Sequence, residues 1–172
     1  SPTILFFHAN AEITHEYDDI AQMYNKYNIN FIVSGYRGYG LSNGQPSIDT
    51  SLEDSLKIFD FVLDHLKSLK NKNHLVVMGR SLGSTSASHL MLKREQEIDG
   101  AIIDSGFATE YPFLLRFGLD PEEINFSLSD GFDNLKKIKY FKKPFLIIHA
   151  DMDEIIPFSQ ADMMFVESGS YN

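Results

Sequence analysis

The 172-residue chain has no cysteine, which excludes disulfides, thiolate nucleophiles and cysteine-based metal sites but does not fix the compartment. No apolar run approaches the ~20 residues needed to cross a bilayer. The opening "TILFFH" also lacks the basic-then-apolar pattern of a secretory signal. A targeting segment could still precede it, and a cytoplasmic or membrane-associated setting is the expectation. Positive charge is scarce, with 15 Lys and Arg against 24 Asp and Glu and a net charge of −9. Such a surface repels polyphosphate, so nucleic acid is not an expected partner. Neither G-x-G-x-x-G nor a P-loop follows the first apolar run, which counts against a nucleotide-binding protein. The His and Asp residues have no clustered or H-x-x-x-H spacing, and no metal or other cofactor is expected.

What the chain does have is the make-up of one globular domain, 43% hydrophobic and 23% charged, without internal repeats or low-complexity linkers. Five short apolar runs read as buried strands: residues 3–8 (TILFFH), 29–33 (INFIV), 74–78 (HLVVM), 101–103 (AII) and 144–149 (PFLIIH). Helical patterns separate them. Residues 14–27 carry Ile20, Met23, Tyr24 and Tyr27 on one stripe, and residues 51–69 carry Leu52, Leu56, Phe59, Leu63 and Leu66. Thr50 and Glu53 have capping-box spacing before the second of these. Further helices are predicted over 84–95 and 158–166. The alternation predicts an α/β fold, a mostly parallel sheet flanked by helices, with ligands bound beyond the carboxyl ends of the strands. Residues 107–143 interrupt the rhythm, aromatic at first ("FATEYPFLLRF") and basic at the end ("LKKIKYFKK"). A segment of this length without a strand predicts a short helical cap or lid within a single domain over 1–172. The alternative is a set of surface helices, with Phe113, Leu114, Leu115 and Phe117 facing the core.

Gly79-Arg80-Ser81-Leu82-Gly83 places a serine between two glycines, directly after one apolar run and before a helical pattern. A G-x-S-x-G turn in that context is a nucleophile elbow. The chain reverses so sharply that the serine is strained and its neighbours must be small. The hydroxyl is then exposed at a helix N-terminus, where free amides favour negative charge. The Leu82 amide points to where a tetrahedral oxyanion would form.

With these residues on the page, the chain resembles the α/β-hydrolase superfamily, in the branch of monoacylglycerol lipases, depalmitoylating acyl-protein thioesterases and S33-type peptidases. "LFFHANAE" resembles the strand and loop that supply an oxyanion amide, and "YRGYGLSNGQPS" the loop after the next strand. "GRSLGS" resembles the elbow, and "PFLIIHADMDEIIPFSQA" the block that carries the acid. The resemblance implies Ser81 as nucleophile, Leu82 and Asn10 (or Ala11) as oxyanion donors, and Asp153 as the acid that orients a catalytic imidazole. Asp153, not Asp151, fits the spacing to Pro157; Asp104, at another strand end, is the alternative acid. Ala9 and Ala150 stand where the family has glycine, which makes the first loop less permissive.

The family's chain order is Ser, acid, His, yet no histidine follows Asp153. His89 is eight residues past Ser81 on one helix, about 12 Å along its axis. His65 and His74 flank the strand at its other end, and His15 reads as a helix-surface residue. His8 and His149 sit at strand ends, where the resemblance implies loop-shaping residues. The expectation is an incomplete sequence at both ends, with the histidine outside these residues. The expected function is cleavage of a carboxylic ester or thioester, on a small-molecule or lipid-like acyl substrate, with peptidase chemistry and peripheral membrane contact as options. A catalytically inactive binding protein of the same fold is the alternative. The oligomeric state is left open.

Overall fold

In the computed structural model, which describes residues 1–70 and 73–169, the apolar runs form β1 (Thr3–Phe7), β2 (Asn30–Ser34), β3 (Leu75–Arg80), β4 (Gly100–Asp104) and β5 (Phe145–Ile148). They make one sheet in the order β2-β1-β3-β4-β5, with every neighbouring pair parallel. All five residues of β1 are buried, as expected of a central strand covered on both faces. Leu5, Phe7, Val77, Ala101 and Ile103 point to one face. There they meet α2 (Ile48–Ser68), α3 (Gly83–Lys93), α5 (Asn134–Ile138) and α6 (Ser159–Glu167). Ile4, Phe6 and Met78 point to the other face, against Tyr17 and the partly buried Ile20 and Tyr24 of α1 (Asp18–Lys26).

Two helix starts differ from the sequence reading. The first predicted helix begins as a 3-10 turn, Thr14–Tyr17, before α1. The second begins at Ile48, capped by Ser47, whose Oγ accepts the Thr50 amide at 3.1 Å while Thr50 Oγ1 accepts the Ser47 amide at 2.9 Å. A cap residue needs extended dihedrals, and Ser47 has them (φ −143°, ψ 169°); Thr50 already lies inside the first turn.

The 107–143 segment holds α4 (Tyr111–Arg116), a 3-10 turn (Leu128–Asp130) and α5. Its basic end is only partly surface: Ile138 and Phe141 are fully buried in the main core and Lys137 is buried with them, while Lys136 and Lys139 are exposed. Leu115, Phe117, Leu119 and Ile124 are exposed.

β1 lies between β2 and β3, so the chain leaves β1 on one side and returns on the other. The loops after β1 and β3 diverge at the carboxyl edge, and such a topological switch point is where open α/β sheets bind their ligands.

Candidate active site

Ser81 follows the last residue of β3 with φ +50°, in the left-handed region. Holding a non-glycine residue there costs about 1–3 kcal/mol and needs surrounding structure to enforce it. That structure is visible. The Ser81 amide donates to the Asp104 carbonyl at 2.9 Å, and the Ser81 carbonyl accepts the Ser84 amide at 2.9 Å. A Cβ on Gly79 would stand 2.2 Å from the Gly83 carbonyl oxygen, and one on Gly83 would stand 2.0 Å from that of Phe7. Both glycines are therefore required by close backbone approach, and the elbow packs directly on the end of β1. Ser81 and Leu82 are both partly exposed at this rim.

The loop after β1 faces the elbow. His8 is fully buried, and its carbonyl accepts the Tyr36 hydroxyl at 2.6 Å. Its Nδ1 lies 2.8 Å from the Ala9 carbonyl, which makes Nδ1 the protonated nitrogen. The Ala9 amide donates to Glu12 Oε2 at 2.8 Å, and Asn10 Oδ1 accepts the Tyr39 hydroxyl. Among the described residues, no hydrogen bond engages the backbone amides of Asn10 and Leu82. The left-handed residue of this loop is Ala11 (φ +61°), not Ala9, so alanine at position 9 imposes no positive-φ strain.

Asp153 stands in the loop after β5. Its Oδ1 accepts the Ile155 and Ile156 amides, each at 2.8 Å, and its Oδ2 lies 3.7 Å from His149 Nε2. Burial acts to raise its pKa, but the two amides and the neighbouring imidazole outweigh it, so the carboxyl is held below its ordinary value. Asp104, at the end of β4, lies 3.8 Å from Arg80 Nε and accepts the Ser105 hydroxyl at 3.3 Å. It faces a guanidinium, not an imidazole.

Among the described residues, five of the six histidines have side-chain partners, and the buried Nδ1 of His89 has none. The buried ring of His149 places Nε2 2.8 Å from the Ile156 carbonyl and so shapes the Asp153 loop. The His8 ring packs on Tyr36 at 4.6 Å. His89 is held neutral, its pKa lowered to about 4 by burial and by Lys137, Lys93 and Arg94. His65 stacks on Phe61, His74 lies 3.5 Å from Asp99, and His15 lies 3.7 Å from Asp18.

The structure adds Glu12, Tyr17, Tyr36, Tyr39 and Arg80 to the site. Most of them stand in stretches already singled out by motif, but nothing in the spacing says which hydroxyl or carboxylate reaches which backbone group.

A parallel 2-1-3-4-5 sheet, with a positive-φ serine on the strand-to-helix turn beside its switch point, defines an α/β-hydrolase. More particularly, residues 1–116 match the serine aminopeptidase S33 family, and the chain belongs to it. It is 30% identical over 181 residues to protein bem46 of Schizosaccharomyces pombe, covering 98% of this chain and 57% of that protein. It is 32% identical over 175 residues to the lysophosphatidylserine lipase ABHD12 of Xenopus tropicalis, covering 91% and 44%. The chain thus spans about half the length of the curated relatives it matches. Among solved structures, the monoacylglycerol lipase of Paleococcus ferrophilus superposes with a TM-score of 0.76 at 18% identity, over 99% of this chain and 82% of that one. Est1E from Butyrivibrio proteoclasticus, with ferulic acid bound, gives 0.76 at 20% identity, over 99% and 77%. At such identities the likeness is one of fold.

Proposed function

We propose that the protein is a serine hydrolase that cleaves a carboxylic ester or thioester through an acyl-enzyme on Ser81. The observation that carries this reading is the strained, space-limited turn that holds Ser81 at φ +50° opposite the β1 loop. Ser81 Oγ attacks the carbonyl carbon and passes its proton to an imidazole base. The oxyanion is received by the amides of Leu82 and Asn10. The base returns the proton to the leaving alcohol or thiol, and water then releases the acid. Asp153 orients the imidazole. None of the six histidines here is assigned as that base, so the longest polypeptide that carries this chain is the one to test.

Residues 107–143 are assigned as the cap region, with its outer part at 111–130. Arg116 Nη1 donates to the Glu154 carbonyl at 3.0 Å, which ties α4 to the loop of the acid. Leu115, Phe117, Met152 and Ile155 are exposed along this rim. An apolar rim suits an acyl chain, and a relative named as a lysophosphatidylserine lipase supports a lipid or acyl ester substrate. The same rim would meet the surface of a membrane that carries such a substrate.

The test is fluorophosphonate labelling of that longest polypeptide and of its Ser81→Ala variant, followed by p-nitrophenyl esters of increasing chain length. Labelling of wild type alone, with higher kcat/KM for longer acyl chains, is the expected result. Labelling that survives the substitution removes Ser81 as nucleophile. A wild type that neither labels nor turns over leaves the non-catalytic binding protein as the better reading.

A further inference from the structure

The carboxylate of Glu12 gathers groups from three separate segments. Its Oε2 accepts the Ala9 amide at 2.8 Å and the Tyr17 hydroxyl at 2.5 Å. Its Oε1 lies 3.6 Å from Arg80 Nη1. Arg80 immediately precedes Ser81 and also stands 3.8 Å from Asp104, whose carbonyl takes the Ser81 amide. Tyr17 is buried and packs its ring 4.7 Å from Phe6 of β1, so that hydroxyl is a fixed point. Burial and the bond to Glu12 push its pKa up to about 12, which keeps the hydroxyl protonated as a donor.

Two consequences follow. The Ala9 amide is committed to Glu12, so the loop's oxyanion donor must come from Asn10 or Ala11. The loop also has few other anchors: the Tyr36 hydroxyl on the His8 carbonyl and the Tyr39 hydroxyl on the Asn10 side chain. Of these attachments, Glu12 is the one that reaches across to the residue beside the nucleophile.

We propose that Glu12 is a positioning residue that clamps the oxyanion loop to the nucleophile elbow through Ala9, Tyr17 and Arg80. The catalytic part of this inference rests on the acyl-hydrolase reading of Ser81. Glu12 touches no reacting atom; it fixes where the Asn10 amide points relative to the Leu82 amide. An oxyanion forms only on the way to the transition state, so a displaced donor lowers kcat and leaves ground-state binding nearly untouched. Deleting a donor outright costs about 10²–10³ in kcat, and a donor left in place but loosened costs less, about 10- to 100-fold.

The experiment compares Glu12→Ala and Glu12→Gln with wild type in that longest polypeptide. It uses p-nitrophenyl butyrate kinetics, inhibition by a trifluoromethyl ketone that forms a tetrahedral adduct with serine, and hydrogen–deuterium exchange over residues 8–13. Glu12→Ala is expected to lower kcat about 10- to 100-fold with KM within about twofold, and to weaken the ketone in parallel with kcat/KM. Glu12→Gln keeps an acceptor for Ala9 but loses the charge facing Arg80, so its loss falls between the two. Exchange over 8–13 rises in Glu12→Ala while the sheet core keeps its protection. Unchanged kcat, or a loss that merely follows a drop in folded fraction, overturns the proposal. If wild type turns over no ester, the acyl-hydrolase reading is what fails. The clamp is then decided by exchange alone, and an unaltered 8–13 segment overturns it.

Discussion

At the scale of single residues, the site is defined by what does not fit. Gly83 has no room for a Cβ because the Phe7 carbonyl oxygen occupies the place, 2.0 Å from where the carbon would be. Backbone cannot yield as a flexible side-chain tip can, so Gly83→Ala must push the start of α3 away from β1. The expected outcome is a loss of about 1–3 kcal/mol in urea denaturation, as for overpacking in a close-packed core. Ser81 labelling by a fluorophosphonate should fall along with it. A Gly83→Ala protein within about 0.5 kcal/mol of wild type, the range of an ordinary surface change, would contradict the packing described here. The need for these glycines was legible in G-x-S-x-G itself. The carboxylate of Glu12 was not: Ala9 and Tyr17 are its neighbours in the chain, but Arg80 reaches it only when β1 pairs with β3.

At the scale of elements, the contact between α3 and α5 buries charge without full compensation. Lys137 on α5 is only 7% exposed, and its Nζ has no hydrogen-bond partner among the described residues. Asp133 and Glu110 favour its charged form and Lys93 opposes it, but burial dominates and lowers its pKa from 10.5 to about 8. A lysine whose pKa is lower folded than unfolded binds fewer protons in the native state between those two values. Stability therefore rises with pH across about 8 to 10. Above about 10 the window closes, because the buried Tyr36 and Tyr17 have raised pKa values and favour the folded state only while protonated. Lys137→Met is expected to flatten the rise between pH 8 and 10 in urea titrations; an unchanged slope would mean that the ammonium reaches water. The sequence marked "LKKIKYFKK" as basic, and a charged run ordinarily reads as a solvated face. Ile138 and Phe141 turn that segment inward, and Lys137 goes with them.

At the scale of the whole molecule, the sheet is unevenly covered. α1 shields the face formed by Ile4, Phe6 and Met78. Further along the same face, Leu146 and Ile148 of β5 remain 52% and 47% exposed. Val76, Ile102, Pro144 and Leu146 help to line an open groove of about 450 Å³ there. An apolar face beside an edge strand favours association. These 172 residues on their own are expected to scatter more light as concentration rises, and Leu146→Lys should suppress that with little change in stability. Scattering that ignores the substitution would locate the contact elsewhere. The order of strands and helices, the parallel sheet and the position of the serine at a strand end could all be read from the sequence. They follow from local periodicity and from a turn that tolerates only small residues. Which carboxylate meets the Arg80 guanidinium and which lysine is buried were decided by the tertiary structure alone. Those outcomes depend on distances between segments far apart in the chain, and residue spacing carries no information about them until the sheet has closed.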